Sequence, residues 1–124
     1  MIPKFRAWLK KEQKMDNEID HISWLEDELY CIGDGITYMV LAEDLVLMQS
    51  TGLKDKNGKE IFDGDIVKMA KDVYSEPTYY EVVRHRGGAY RLESKQHGCE
   101  LWLRHTDCEI VGNVYENPKL LEVE

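Results

Sequence analysis

Hydrophobic and polar residues follow one another along this chain in short runs, a pattern typical of β-strands rather than of long helices. The first run covers residues 4–8 and places Phe5, Ala7 and Leu9 on one side of a strand. Later apolar or alternating runs are found at residues 38–41, 46–48, 66–69, 79–84, 89–93, 99–103 and 109–115. We therefore predict a mainly β protein with many short strands.

Residues 16–28 allow two interpretations. The runs at residues 19–25 and 29–32 fit two short strands joined around Glu26 and Asp27. The same apolar positions fit a helical period about equally well, so a helix over residues 16–28 stays open.

Residues 48–69, MQSTGLKDKNGKEIFDGDIVKM, hold the strongest turn signals of the chain. Asn57-Gly58 accepts the positive φ angles of a tight turn, and the DGD at residues 63–65 leads into the next strand. At the glycines we expect backbone positions that leave no room for a side chain. We expect the aspartates to accept hydrogen bonds from backbone amides of the turns. These structural turn residues are Gly52, Asn57, Gly58, Asp63, Gly64, Asp65 and Gly112.

Two further signals mark the C-terminal half. The sequence RGGA at residues 86–89 predicts a second hairpin, with residues 79–84 and 89–93 as its strands. Asn117 followed by Pro118 predicts a short terminal helix with an Asn cap. The five runs between residues 66 and 115 suit a small SH3-like barrel.

The predicted organisation is one compact unit with two parts. Residues 1–48 form an N-terminal β-rich subdomain, either all β or α+β, and residues 49–124 form the SH3-like barrel with its short C-terminal helix. A length of 124 residues suits one domain with a modest core. The expected core residues include Phe5, Trp8, Phe62, Ile66 and Val111.

Composition indicates a cytosolic protein. No apolar run is long enough to span a bilayer, and the first six residues lack the features of a signal peptide. The three cysteines are odd in number and irregular in spacing, which argues against a disulfide framework. We therefore expect no membrane partner.

The net charge of −8 is unevenly distributed along the chain. Residues 16–44 contain nine Asp and Glu and no Lys or Arg, which suits either a solvated surface or mimicry of nucleic acid towards a basic protein. A basic set interleaved with aromatics could bind single-stranded nucleic acid, although the acidity of the whole chain opposes this. Its members are Arg84, Arg86, Tyr90, Arg91, Lys95, Trp102 and Arg104.

Candidate metal and catalytic groups are weaker. His97, Cys99, His105 and Cys108 are zinc-type ligands, but their spacing lacks the usual two-residue knuckle and favours buried Cys with exposed His. The carboxylates of Glu60, Asp63 and Asp65 are better explained as turn caps. No nucleophile motif surrounds Ser23, Ser50 or Cys31, so we predict no catalytic residue, no metal and no cofactor.

Three motifs occur in the order MIPKFRAW, MQSTGLKDKNGKEIFDGDIVK and EIVGNVYENPKLL, with a variable stretch between Met69 and Glu109. Together they resemble the YopX family of phage and prophage proteins. The resemblance implies a mostly β fold with an SH3-type barrel in the C-terminal part and a place in a bacterial host's cytoplasm. It implies no biochemical role and no site residue.

We therefore expect a non-enzymatic phage or prophage accessory protein. It would bind a host or phage protein, or copies of itself as a homo-oligomer, through strand edges or loops. The alternative is a nucleic-acid-binding accessory protein that uses the face around residues 84–104. A metal-dependent enzyme acting on nucleic acid is a third and weaker hypothesis.

Overall fold

The computed structural model describes residues 4–33, 38–70, 72–85, 88–95 and 97–122. In this part of the chain no helix is long and apolar enough to cross a membrane. The strands are β1 (Phe5–Leu9), β2 (Lys14–Asp16), β3 (His21–Leu25), β4 (Glu28–Gly33), β5 (Met39–Leu41), β6 (Leu45–Lys54), β7 (Glu60–Phe62), β8 (Asp65–Met69), β9 (Thr78–Arg84), β10 (Tyr90–Glu93), β11 (Gly98–Glu100) and β12 (Glu109–Asn113). The helical elements are α1 (Leu101–Arg104) and 3₁₀ turns at Ala42–Asp44, His105–Asp107 and Pro118–Leu121. The protein is mainly β, as predicted.

Contacts divide the chain into a first unit, Met1–Gln49, and a second unit, Ser50–Glu124. The boundary predicted from the sequence followed residue 48. Strand β6 begins in the first unit and ends in the second.

The first unit is built from antiparallel strands. Strand β1 pairs with β2 on one side and with the beginning of β6 on the other. Strands β3, β4 and β5 form a three-stranded sheet in that order. Residues 21–25 and 28–33 therefore pair as a hairpin, and the helical alternative for residues 16–28 is wrong. The hairpin forms because Glu26 and Asp27 adopt φ angles of 52° and 68°, which a two-residue turn requires.

The core of the first unit follows from the two-residue period of the strands. Ile22, Ile32 and Val40 lie side by side across β3, β4 and β5, so they share one face of the sheet. This face belongs to a cluster that also contains Ala7 and Leu9 of β1. Burial of each large aliphatic side chain contributes roughly 1.5–3 kcal/mol.

The second unit contains a five-stranded antiparallel sheet with the order β11-β10-β9-β8-β12. Strand β7 pairs with the end of β6. All five runs predicted between residues 66 and 115 contribute a strand, and the predicted hairpin of β9 and β10 is confirmed by their pairing. The SH3-like form of this sheet remains a prediction from the sequence.

The run at residues 99–103 is not one strand, which corrects the prediction. Strand β11 ends at Glu100, and the chain then turns into α1. Leu101 enters the core with 0% exposure, whereas Trp102 and Leu103 point to solvent. Two later side chains fix this turn: Arg104 Nη2 donates to Ala70 O at 3.0 Å, and His105 Nδ1 donates to Lys54 O at 2.7 Å.

Both faces of the five-stranded sheet are covered near its middle. Val82 of β9 lies opposite Leu92 of β10 on the face that packs into the main core. Ile66 of β8 lies on the other face, yet its exposure is also 0%. The C-terminal turn Pro118–Leu121 contacts β9, and a Cβ atom at Gly112, opposite Ile66, would lie 2.5 Å from Asn117 Oδ1. The terminal segment therefore crosses the sheet closely at this glycine.

The predicted terminal helix is a 3₁₀ turn with Pro118 in its first turn, but the side chain of Asn117 does not cap it. Asn117 Oδ1 instead accepts a hydrogen bond from Asn113 N at 3.3 Å. The buried Asn113 accepts from the backbone N of Tyr115 and Glu116 through its own Oδ1. Two asparagines therefore hold this turn against β12.

The residues expected in the core differ in burial. Trp8 and Ile66 are buried. Phe5, Phe62 and Val111, in contrast, are half-buried.

The β3–β4 turn yields a stability prediction. Replacing Glu26→Asn together with Asp27→Gly should stabilise the protein by about 1 kcal/mol, because Asn and Gly accept positive φ angles at lower cost. The midpoint of urea unfolding measures this effect. The charge-matched variant Glu12→Gln/Glu18→Gln is the control, and a midpoint no higher than the control's would contradict the interpretation.

Candidate functional site

The predicted nucleic-acid-binding set lies in the second unit, apart from Arg86, which is outside the described residues. Arg84 ends β9, and Tyr90 and Arg91 belong to β10. Lys95 follows β10, and Trp102 and Arg104 belong to α1. In the register of the hairpin Arg84 lies opposite Tyr90.

Arg91 is engaged by carboxylates of its own sheet. Its Nη1 donates to Glu100 Oε1 at 2.6 Å, across the β10–β11 pair. Its Nε donates to Glu93 Oε1 at 3.4 Å, and the same oxygen lies 3.1 Å from His85 Nε2. These acidic partners offset the charge that Arg91 would offer to a phosphate.

Arg104 is engaged in a similar way. Its Nε donates to Asp107 Oδ2 at 2.9 Å, while Nη2 bonds the Ala70 carbonyl at the end of β8. Trp102, in contrast, is 65% exposed, and Lys95 is exposed as well. The set thus contains an exposed aromatic ring, but Arg91 and Arg104 form hydrogen bonds to groups of the second unit itself.

Carboxylates gather on the face of the sheet that holds Arg91. Glu81 of β9 lies directly opposite Glu93 of β10, an arrangement of like charges that is unfavourable. Burial raises the pKa of Glu81, and the negative charges of Asp63 and Glu93 raise it further. Burial also raises the pKa of Tyr90, with Arg84 opposing this effect and Asp63 adding to it. The face that holds Arg91, Glu81 and Glu93 is therefore mixed in charge rather than basic. Tyr90 and Arg84 lie on the other face of the sheet, so the predicted set is divided between the two faces.

The four zinc-type ligands have other partners or environments. Cys108 is fully buried, and its Sγ donates to Arg104 O at 3.3 Å. Burial raises the pKa of the Cys108 thiol to about 12, and Cys99 and Asp107 add to this. His105 Nδ1 bonds Lys54 O, and His97 is exposed. Among the described residues, no three His, Cys, Asp or Glu side chains are arranged to hold a metal ion.

The predicted turn residues have different local roles. Gly58 has a φ angle of +81°, and no atom lies within 4 Å of an added Cβ, so conformation rather than space calls for glycine there. Gly64 likewise lies in the turn before β8, after Asp63. Asp65 Oδ2 accepts a hydrogen bond from Phe62 N at 2.8 Å, as an aspartate beside a turn was expected to do.

Gly52 lies within β6 rather than in a turn, which corrects its predicted setting. The β6–β7 register is irregular between Ser50 and Lys54. Ser50 Oγ accepts from Gly52 N at 3.1 Å, and Thr51 Oγ1 accepts from Leu53 N at 3.1 Å. Side-chain hydroxyls thus replace part of the strand ladder, and the strand continues through a bulge.

The residue that organises this region, Asp55, was absent from the predicted set. Asp55 Oδ1 accepts from the backbone N of Asn57 and Lys59, each at 2.9 Å. Its Oδ2 accepts from Ile110 N of β12 at 3.0 Å. An Asp two residues before Asn-Gly is the sequence signal that marks such a turn.

Burial of Asp55 works to raise its pKa, but the hydrogen bonds from Ile110, Lys59 and Asn57 outweigh it. The nearby Lys59 charge acts in the same direction as these bonds, so the pKa of Asp55 is lowered. The folded protein therefore favours the ionised form of the Asp55 carboxyl group.

Large apolar side chains are exposed on four segments of the described chain. Trp24, Leu25 and Tyr30 lie at the end of the β3–β4 hairpin, where Trp24 is 55% and Leu25 61% exposed. Val73 and Tyr74 are 91% and 95% exposed in the loop after β8. The third segment is the pair Trp102 and Leu103 of α1, and the fourth is the pair Tyr38 and Met39 beside the start of β5, which are 43% and 58% exposed.

Described residues also line two surface clefts. One, of about 560 Å³, is lined by residues 115–120 at the C-terminal turn. The other, of about 380 Å³, lies in the first unit between the β1–β2 turn and residues that include Tyr38 and Val40. Neither contains a group of side chains with an evident catalytic arrangement.

The family model described as YopX protein matches residues 4–122. The chain belongs to the YopX family. This confirms the resemblance of the three sequence motifs. No curated protein matches the chain.

Solved structures agree with the family assignment. Protein EF1440 from Enterococcus faecalis is 30% identical with a TM-score of 0.65, over 98% of this chain and 99% of that chain. Protein yopX from Bacillus subtilis is 23% identical with a TM-score of 0.68, over 97% of this chain and 96% of that chain. The second likeness shows a shared fold only.

Asp55→Asn should destabilise this YopX-family protein by roughly 1–3 kcal/mol, because the amide nitrogen cannot accept the backbone hydrogen bonds of the carboxylate. Urea unfolding at neutral pH measures the loss. The control is Asp72→Asn in an exposed turn, where the carboxylate accepts from Tyr74 N. Equal losses for both variants would contradict the assigned role.

The same pair of variants tests the pH dependence. The folded pKa of Asp55 lies below its unfolded value, so its contribution is present above the unfolded pKa and is lost as pH falls through the folded pKa. The difference between wild type and Asp55→Asn should therefore shrink in acid. A difference that stays constant with pH would contradict the prediction.

Glu81→Gln should change the stability of the protein in the direction opposite to Asp55→Asn. Because the folded pKa of Glu81 is raised, its favourable contribution is present below the unfolded pKa and lost as pH rises through the folded pKa. The substitution should raise the unfolding midpoint at neutral pH and bring little gain in acid. Glu122→Gln, at an exposed position, is the control; a neutral-pH midpoint below the control's would overturn the interpretation.

Proposed function

We propose that this YopX-family protein is a non-enzymatic accessory protein of a phage or prophage, acting in the bacterial cytoplasm by binding another protein or copies of itself. The observation that carries the proposal is the exposure of large apolar side chains in adjacent positions. Trp24 with Leu25, Val73 with Tyr74, and Trp102 with Leu103 are such pairs. Grouped exposed apolar residues mark interaction surfaces, and aromatic side chains dominate binding energy at many of them.

These pairs are held by ordered local contacts. The β3–β4 pairing holds the first pair, and Asp72 Oδ1 fixes the turn of the second through Tyr74 N at 2.8 Å. The bonds of Arg104 and His105 fix α1, which carries the third. Surfaces that are ordered before binding lose less conformational entropy in a complex.

The cellular setting rests on other support. The proposed phage or prophage origin is supported by the resemblance of the three motifs to the YopX family. The three cysteines are unpaired, which suits a reducing compartment such as a bacterial cytoplasm.

Nucleic-acid binding is the second candidate, and the exposed Trp102 ring favours it because bases stack on such rings. Arg84 and Lys95 are exposed in the same unit. The ion pairs of Arg91 and Arg104 and the net charge of −8 weigh against strong attraction to phosphate.

The proposed protein binding is tested with the full-length protein. Light scattering measures self-association, and capture from a bacterial lysate on immobilised protein reveals a partner. We expect an oligomer or a captured partner that is lost in Trp24→Ser, Tyr74→Ser or Trp102→Ser, by about tenfold or more in affinity. Thr106→Ala at an exposed polar position is the control, and a monomer that captures nothing would contradict the proposal.

The nucleic-acid candidate is tested with labelled single- and double-stranded oligonucleotides at low and moderate salt. Binding through the basic set should weaken steeply with salt and disappear in an Arg84→Ala/Arg86→Ala/Arg91→Ala variant. Salt-sensitive binding lost in this variant would favour the second candidate over protein binding. If the protein binds neither oligonucleotide, nucleic-acid binding is excluded as its function.

A further inference from the structure

The tip of the β3–β4 hairpin combines exposed apolar and acidic side chains on an ordered framework. Pairing between the strands extends to Leu25 opposite Glu28, so only the two-residue turn lies beyond it. Leu29 packs against the core of the first unit and anchors the base of the tip. Trp24, Leu25 and Tyr30 all face solvent.

A bulge contributes to this arrangement. Ser23 lies opposite Cys31, whereas the next residue, Trp24, lies opposite Leu29. Tyr30 is therefore the extra residue of β4, outside the regular pairing. Bulges turn a side chain away from its regular direction, and here Tyr30 is 47% exposed although its neighbours Cys31 and Ile32 are buried.

The charge of the tip is strongly negative. Glu26, Asp27 and Glu28 are consecutive, and all three are exposed. The sequence contains no Lys or Arg between Lys14 and Lys54. The apolar side chains of the tip are thus bordered by carboxylates that no neighbouring cation in the sequence offsets.

We infer that this tip, formed by Trp24, Leu25, Glu26, Asp27, Glu28 and Tyr30, is a docking surface for a cationic polypeptide segment that carries apolar side chains among its Lys and Arg residues. The inference rests on the proposed protein-binding function and names the partner's chemistry. Charge complementarity selects this partner. Carboxylates bind Arg through paired hydrogen bonds, and the rings of Trp24 and Tyr30 attract cations.

Two other occupants fit less well. Nucleic acid would bring phosphates against three carboxylates, which repel them. A second copy of this chain has the same net charge of −8, so long-range repulsion opposes its approach to an acidic tip. A basic segment, in contrast, would be steered towards the tip by its charge.

The test uses short fluorescent peptides of equal length and the full-length protein. One peptide contains Lys, Arg and Leu, a second contains Lys, Arg and Ser, and a third contains Glu and Leu. Fluorescence anisotropy gives each dissociation constant. We expect the first peptide to bind about tenfold more tightly than the second, and the third to show no binding.

Three variants separate the contributions of the tip. Trp24→Ser/Tyr30→Ser removes the rings and keeps the charge, and Glu26→Gln/Asp27→Asn/Glu28→Gln removes the charge and keeps the rings. Each should weaken binding of the first peptide by about tenfold. The control Glu12→Gln/Glu76→Gln/Glu122→Gln removes equal charge at exposed positions elsewhere and should bind as wild type does.

The unfolding midpoints of all variants are measured alongside, so that a loss of binding is attributed only to folded protein. If the control weakens binding as much as the tip variant, or if the ring variant binds as wild type, the inference is overturned. A partner captured by the wild type and equally by both tip variants would overturn the inference and leave the proposed function standing. Failure of capture and oligomerisation together would instead contradict the proposed function.

Discussion

The buried carboxylate of Asp55 joins two backbone segments of the second unit. Asp55 accepts backbone hydrogen bonds from Asn57 and Lys59 in its own turn and from Ile110 in β12. The backbone of Lys56 adds a bond to Cys108 O at 2.9 Å. The turn between β6 and β7 is thereby joined to the last strand of the sheet, whose other side pairs with β8.

Many of the side chains that the sequence marked as candidate ligands make contacts within the second unit instead. Arg91 binds Glu100, Arg104 binds Asp107 and the Ala70 carbonyl, and the thiol of Cys108 lies in the core. Side chains engaged in such contacts offer less charge to a ligand than their residue types promise. The exposed aromatic and aliphatic residues therefore carry the functional argument for this member of the YopX family.

Predictions from the sequence were accurate where the local pattern of residues decides the structure and less accurate where a side-chain contact decides it. Strand β9 was predicted closely because alternation itself reports a buried and an exposed face, whereas β1 was located by the same alternation although both of its faces are largely buried. The apolar run at residues 99–103 was misread because contacts distant in sequence bend it into α1. The cap expected of Asn117 failed for a different and local reason, since its side chain turns back to Asn113, four residues earlier.

The sequence alone determined the β class, the position of most strands and the family, because alternation, turn residues and motifs are local properties of the chain. The tertiary structure decided which polar groups remain available. It placed Asp55 against β12, paired Arg91 and Arg104 with carboxylates, and left Trp24 at the surface. The bond between Asp55 and Ile110 spans 55 residues, and the nearer carboxylate partners of Arg91 and Arg104 reach them through strand pairing and the turn after α1. The fold thus sets the burial and pairing of these side chains, and with them their energy.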